Sequence, residues 1–161
     1  MSINTSQRNT TDHAVIDQVD VRGPRFAAWV TTAALLLALV VSASSTTATA
    51  AILAAQAVIF AAGAIGGPRR HPYGQIFATA VAPRLGPVTE REPVAPLKFA
   101  QLVGLAFAVA GVAGFAFGAP LLGVIATAFA LAAAFLNAAF GICLGCMLYP
   151  SVVRLRRTPA A

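Results

Sequence analysis

The strongest constraint on this chain is a set of four stretches without a single charged residue, at residues 26–43, 49–65, 99–117 and 121–149. A helix rising about 1.5 Å per residue needs about 20 apolar residues to cross a hydrocarbon layer roughly 30 Å thick. Inside that layer no water satisfies the backbone, so a spanning segment must close its own hydrogen bonds as a helix. Four transmembrane helices are therefore predicted. The fold class expected is an all-α membrane protein, a four-transmembrane-helix bundle.

Composition agrees for a separate reason. Hydrophobic residues make up 58% of the chain and charged residues 10%, against roughly 45–50% and about 25% in soluble domains. So few charges cannot coat a folded surface in water, and the lipid bilayer becomes the first partner of the chain. The net charge of +6 is then explained by a basic face against anionic headgroups, without any nucleic acid.

The charges also orient the bundle. All eleven Lys and Arg residues lie in three places: Arg8, Arg22 and Arg25 before the first span; Arg69, Arg70, Arg84, Arg91 and Lys98 between the second and third; Arg154, Arg156 and Arg157 after the fourth. The connections at 44–48 and 118–120 carry none. With an even number of spans every positive charge falls on one side, which the positive-inside rule makes the cytoplasm, with both termini there. No cleavable leader is recognisable in the polar first twenty residues, and the first span is expected to serve as the insertion signal.

Three regions follow. Residues 1–20, rich in Ser, Thr, Asn and Asp, are expected to be a disordered cytoplasmic tail; residues 21–150 hold the spans; residues 151–161 form a basic cytoplasmic tail. Between spans two and three, Tyr73, Ile76, Phe77, Ala80 and Val81 fall on one helical face. A short amphipathic helix in the headgroup layer is predicted there, opened by Pro72 and ended by Pro83. Gly118, Ala119 and Pro120 allow only a tight hairpin between spans three and four. Gly104, Ala108 and Gly111 on the third span, and Ala134, Ala138, Gly141 and Gly145 on the fourth, line up as small-residue stripes that let another helix approach closely, from this chain or from a second copy in a homo-oligomer.

Cys143 and Cys146, the only two cysteines, are the candidate site: a C-x-x-C that could cycle between dithiol and disulfide. With the fourth stretch read as one helix of about 44 Å, the pair lies near its cytoplasmic C-terminal end, where the helix dipole disfavours a thiolate. A bridge there requires local distortion, since helical i and i+3 Cβ atoms stand about 5–6 Å apart, and Gly145 and Pro150 make it feasible. Packing as small hydrophobes and metal binding are the other readings. Zinc would want four ligands and only His71 and His13 could add to the pair, so neither a metal nor a cofactor is expected. Gln56, Gln101 and Asn137 are amides expected to hydrogen-bond between helices. No ionisable residue lies inside a span, which argues against an ion-coupled transporter.

The stretches VDVRGPRFAA, VAPRLGPVTEREP with LKFAQLVG, and LNAAFGICLGCMLY together resemble the bacterial membrane family known as domain of unknown function 4395, over roughly residues 19–149. The resemblance implies a small multi-pass protein of the bacterial cytoplasmic membrane with no assigned activity. Its members tend to be encoded near thioredoxin-like proteins and sulfurtransferases, which implies a partner of that kind and turns Cys143 and Cys146 towards redox or sulfur handling. The competing reading is a non-enzymatic scaffold that assembles through the small-residue stripes. Whether the chain is an enzyme is left open by the sequence.

Overall fold

A computed structural model describes residues 18–157. The stretch expected to be a disordered tail falls mostly on residues 1–17, outside the described part, as do Arg8 and His13. Four long apolar helices make up the bundle: α1 (Arg22–Ser42), α2 (Thr46–Gly66), α4 (Val94–Ala116) and α5 (Pro120–Phe140), each long and apolar enough to cross a membrane. Twenty-one residues rise about 31 Å as a helix, close to the hydrocarbon thickness. The outer surface fits that medium: Leu36, Val40, Val58, Leu102 and Phe129 are each more than half exposed, and in water such a surface would associate without limit.

Local chemistry sets the helix ends. Ser45 caps α2, its Oγ accepting from the Ala48 N–H at 3.1 Å, which satisfies one of the orphan donors of the first turn. Pro120 occupies the first turn of α5, where its missing N–H is no loss. Short connections at 43–45 and 117–119 make each pair antiparallel. In the bundle α1 packs on α2 and α5, and α4 packs on the same two helices, so the four form a ring.

The core of that ring is Leu35 and Ala38 from α1, Leu53 from α2, Phe115 from α4 and Ala130 from α5. Helices α4 and α5 approach closely within it: a Cβ added to Gly114 would stand 2.7 Å from Cα of Gly123. Gly104 lies against Phe60 and Gly111 against Leu53 and Thr127. The stripe on the third span is thus used within the chain. Thr49 and Thr127 are buried with their hydroxyls turned to backbone, Thr49 to Ser45 O at 2.8 Å and Thr127 to Gly123 O at 2.7 Å.

The charged end is more ordered than its composition suggests. Strand β1 (Gln18–Asp20) pairs antiparallel with β2 (Arg91–Pro93), with Val19 opposite Glu92. Residues 18–20, expected to belong to the disordered tail, are therefore held by the loop before α4. Arg22 clamps the same corner, its guanidinium 2.8 Å from Asp20 and donating to Gly86 O at 3.2 Å. The helix predicted over 72–83 exists: α3 (Pro72–Ile76) continues through a π turn over Phe77–Val81 and a 3₁₀ turn over Ala82–Arg84. It turns Phe77 inward, buried against Gly23 and 5.8 Å from the ring of Phe26.

The fourth apolar stretch departs from expectation. It is not one helix to Tyr149: α5 stops at Phe140, and a separate helix α6 (Leu144–Arg157) follows. Gly141 stands at φ +71° with its N–H bonded to Asn137 O at 3.1 Å, the left-handed cap that ends many helices and that a Cβ disfavours. Residues 151–157, read as tail, belong to α6.

Candidate functional site: the bridged cysteine pair at the start of α6

Three local features place the pair. Gly141 reverses the chain after α5, and Arg25 on α1 secures the end it leaves, donating to the carbonyls of Ala138 and Ala139 at 3.4 Å. A cation at a helix C-terminus is favoured by the macrodipole. Gly145 then lets α6 lie on α4: a Cβ there would stand 2.6 Å from Cα of Ala100. One turn on, Tyr149 packs against Phe99 with ring centroids 6.0 Å apart.

Cys143 precedes α6 in the N-cap position. The Cys146 N–H donates to Cys143 Sγ at 3.3 Å, and the Met147 N–H donates to Cys143 O at 3.0 Å as the first helical bond. Cys143 and Cys146 are bridged, their Cα atoms 5.2 Å apart. This corrects the sequence-based placement: the pair sits at a helix N-terminus, not near a C-terminus, because the glycine expected on a packing stripe ends α5 instead. The electrostatic argument reverses with it. When the bridge is reduced, the free N–H groups of the first turn favour a thiolate at Cys143.

Both cysteines are partly exposed and line a cavity of about 440 Å³ with Glu92, Pro96, Leu97 and Met147. Glu92 was not singled out by sequence, since it reads there as one charge in a polar loop; it stands on β2, paired with β1, and lines the same cavity as the cysteines. Burial pushes the Glu92 carboxyl above its ordinary range, against the pull of Arg25 and with help from Glu90. A carboxyl that is easily protonated, on the wall of the cavity that both cysteines line, is of the type that takes up and returns a proton.

The other candidates lie elsewhere. His71 lines a different cavity, of about 580 Å³, with Gln101. Among the described residues no group of three or more His, Cys, Asp or Glu comes within reach of one metal ion. Gln56 behaves as predicted, joining α2 to α1 through Thr31 Oγ1 at 3.4 Å and accepting from Tyr73 OH at 3.1 Å.

Comparison with known proteins finds one family, described as Domain of unknown function (DUF4395), whose profile matches residues 19–154. No curated protein and no solved structure matches the chain.

Proposed function

Since the chain belongs to the DUF4395 family, whose activity is unassigned, we propose that it is a membrane thiol protein, as the geometry of its own site supports, exchanging Cys143–Cys146 with a partner of the thioredoxin-like kind that the family resemblance implies. The observation that carries the reading is the capping geometry. Cys143 sits where a reduced sulfur is activated, and Cys146, one turn on, is placed to resolve a mixed disulfide. The positively charged end, and the pair with it, faces the cytoplasm under the positive-inside rule.

In the exchange, the reduced Cys143 thiolate attacks one sulfur of the partner's disulfide. A bond forms between them, and the partner's other sulfur leaves as a thiolate and takes a proton from water. Cys146 then loses its proton to the Glu92 carboxylate and attacks Cys143 Sγ. The bond to the partner breaks and the second partner thiolate leaves, to be protonated in turn. Two electrons have passed from the pair to the partner, and the reverse sequence reloads the pair from a partner dithiol.

The test is trapping. Cys146→Ser in membranes should accumulate a mixed disulfide between Cys143 and a thioredoxin-like protein, identified by mass spectrometry and released by reductant, while Cys143→Ser should give none. Absence of any adduct, with both thiols inert to a membrane-permeant maleimide after reduction, would sink the proposal.

A further inference from the structure

The larger cavity, of about 580 Å³, lies within the range of ligand pockets, roughly 300–1,000 Å³. Its walls and its mouth differ in character. Ala27 of α1, Phe77 after α3 and Leu97 of α4 line it and are buried. Arg69, from the turn between α2 and α3, and Arg91 of β2 line it and are exposed. The interior is therefore apolar and the mouth basic. Deeper in, His71 and Gln101 meet over Gly63, where the imidazole N–H and the amide Oε1 can satisfy each other and ask for no polar partner.

The strand ribbon gathers the two cations. Arg69 donates to Gln18 O at 3.4 Å, which ties its guanidinium to β1. Arg91 stands opposite Asp20 of the same strand, two residues and roughly 7 Å further along. Neither charge is cancelled. The Asp20 carboxylate, also on the lining, is held by Arg22, which does not line the cavity and whose Nε stands 3.0 and 2.9 Å from its two oxygens. Among the described residues Arg69 and Arg91 form no ion pair. The mouth thus carries an excess of positive charge on two guanidinium forks, a shape matched to the paired oxygens of a carboxylate or a phosphate.

We propose that this cavity binds an amphiphilic anion, its oxyanion head held by Arg69 and Arg91 and its apolar chain lying against Ala27, Phe77 and Leu97. A neutral head makes no use of the two cations. A cationic or zwitterionic head brings an ammonium to a mouth whose carboxylate is already taken. A small anion without a chain leaves the apolar interior to water, and covering that surface is what favours a chain. The site goes beyond the thiol reading and does not rest on it, Leu97 alone being common to the two linings.

The experiment uses the full chain in phosphatidylcholine nanodiscs and a palmitate with a diazirine in its chain, adducts being mapped by mass spectrometry. Label should fall on the walls, within residues 74–82 and 94–101. Palmitate should displace it, while hexadecanol and hexadecyltrimethylammonium at the same mole fraction should not. Dioleoyl phosphatidate identifies the source: displacement by it as well as by palmitate admits bilayer phospholipid, displacement by palmitate alone selects a single-chain acid, and either result supports the site. Arg69→Gln and Arg91→Gln should each weaken labelling about fivefold, the share of one partly solvated ion pair. Arg70→Gln, an equal loss of charge off the lining, should not. Unaltered melting temperatures certify the folds, and Cys143→Ser should leave labelling unchanged, so failure of the thiol reading and failure of this one are distinguishable. Three results would overturn the proposal. Hexadecanol competing as well as palmitate would mean plain apolar partition, inorganic phosphate competing as well as palmitate would mean that the walls hold no chain, and Arg70→Gln weakening the label as much as Arg91→Gln would mean diffuse attraction to a basic face.

Discussion

The backbone N–H of Cys146 points at the sulfur of Cys143, 3.3 Å away, so the two residues are joined twice, by the bridge and by the first turn of α6. This contact is the N-cap bond usually made by a Ser or Asp oxygen. A sulfur in that position, once reduced, faces the positive end of the helix. The alkylation rate of reduced Cys143 should accordingly reach half its maximum below pH 8.5, the ordinary value for a free thiol being about that. A midpoint above it would mean that the capping geometry does not activate the sulfur.

Gly141 should be the residue on which the site's position depends. A side chain at φ +71° costs roughly 1–2 kcal/mol, and removing the left-handed cap favours continuation of α5 through residues 142–146. Gly141→Leu should both lower the melting temperature and reduce the fraction of bridged cysteine found by mass-tagged thiol trapping. A bridge formed as completely as in the wild type would show that the turn does not depend on this glycine.

Gly145 tests how α6 is held. A valine there meets the backbone of Ala100 at 2.6 Å, where nothing flexible can yield, and overpacking of this sort costs about 1–3 kcal/mol. Gly86→Ala is the internal control, since an added methyl meets nothing within 4 Å and stability should change little. Thermal melts of the two variants in the same detergent decide the matter.

Glu92 should impose a pH dependence on exchange. Its carboxyl is pushed up by burial, and only the ionised form accepts a proton, so the resolution step should slow as pH falls towards that raised value. In Glu92→Gln the acid-side inflection should vanish and the rate at neutral pH should drop, about 10²-fold if general base catalysis contributes its usual share. Stopped-flow measurement of mixed-disulfide resolution against pH reads both effects.

His71 makes a separate prediction about stability. Its folded value, about 4, lies below the 6.5 of the exposed side chain. Between those values the unfolded chain binds a proton that the folded chain refuses, so stability is complete above pH 6.5 and falls as the pH drops towards 4. The whole effect is on the order of 3 kcal/mol. Denaturation in detergent from pH 7 to pH 4 should show the loss, and His71→Leu should flatten it.

The four spans were legible because each is an uninterrupted apolar run, and the bilayer demands no more than length and hydrophobicity to make a helix. The hairpin at Pro120, the helix opened by Pro72 and the interhelical role of Gln56 were legible from turn chemistry and from the cost of an unsatisfied amide. The break at Gly141 was hidden, since glycine on a long apolar run reads equally as packing stripe and as helix stop. Its clue was length, because a helix of about 44 Å exceeds the hydrocarbon layer.

By itself, then, the sequence determined the membrane class, the number of spans and the clustering of charge at one end, all of which depend on local hydropathy. The tertiary structure alone decided which end of a helix the cysteines occupy, that Glu92 joins them, and that His71 and Gln101 share a cavity. The first comes from the left-handed turn at Gly141, which an apolar run does not announce; Glu92 is placed by strand pairing between residues 18–20 and 91–93, and His71 and Gln101 come together over Gly63 where α2 packs on α4, contacts between distant parts of the chain that no local pattern encodes.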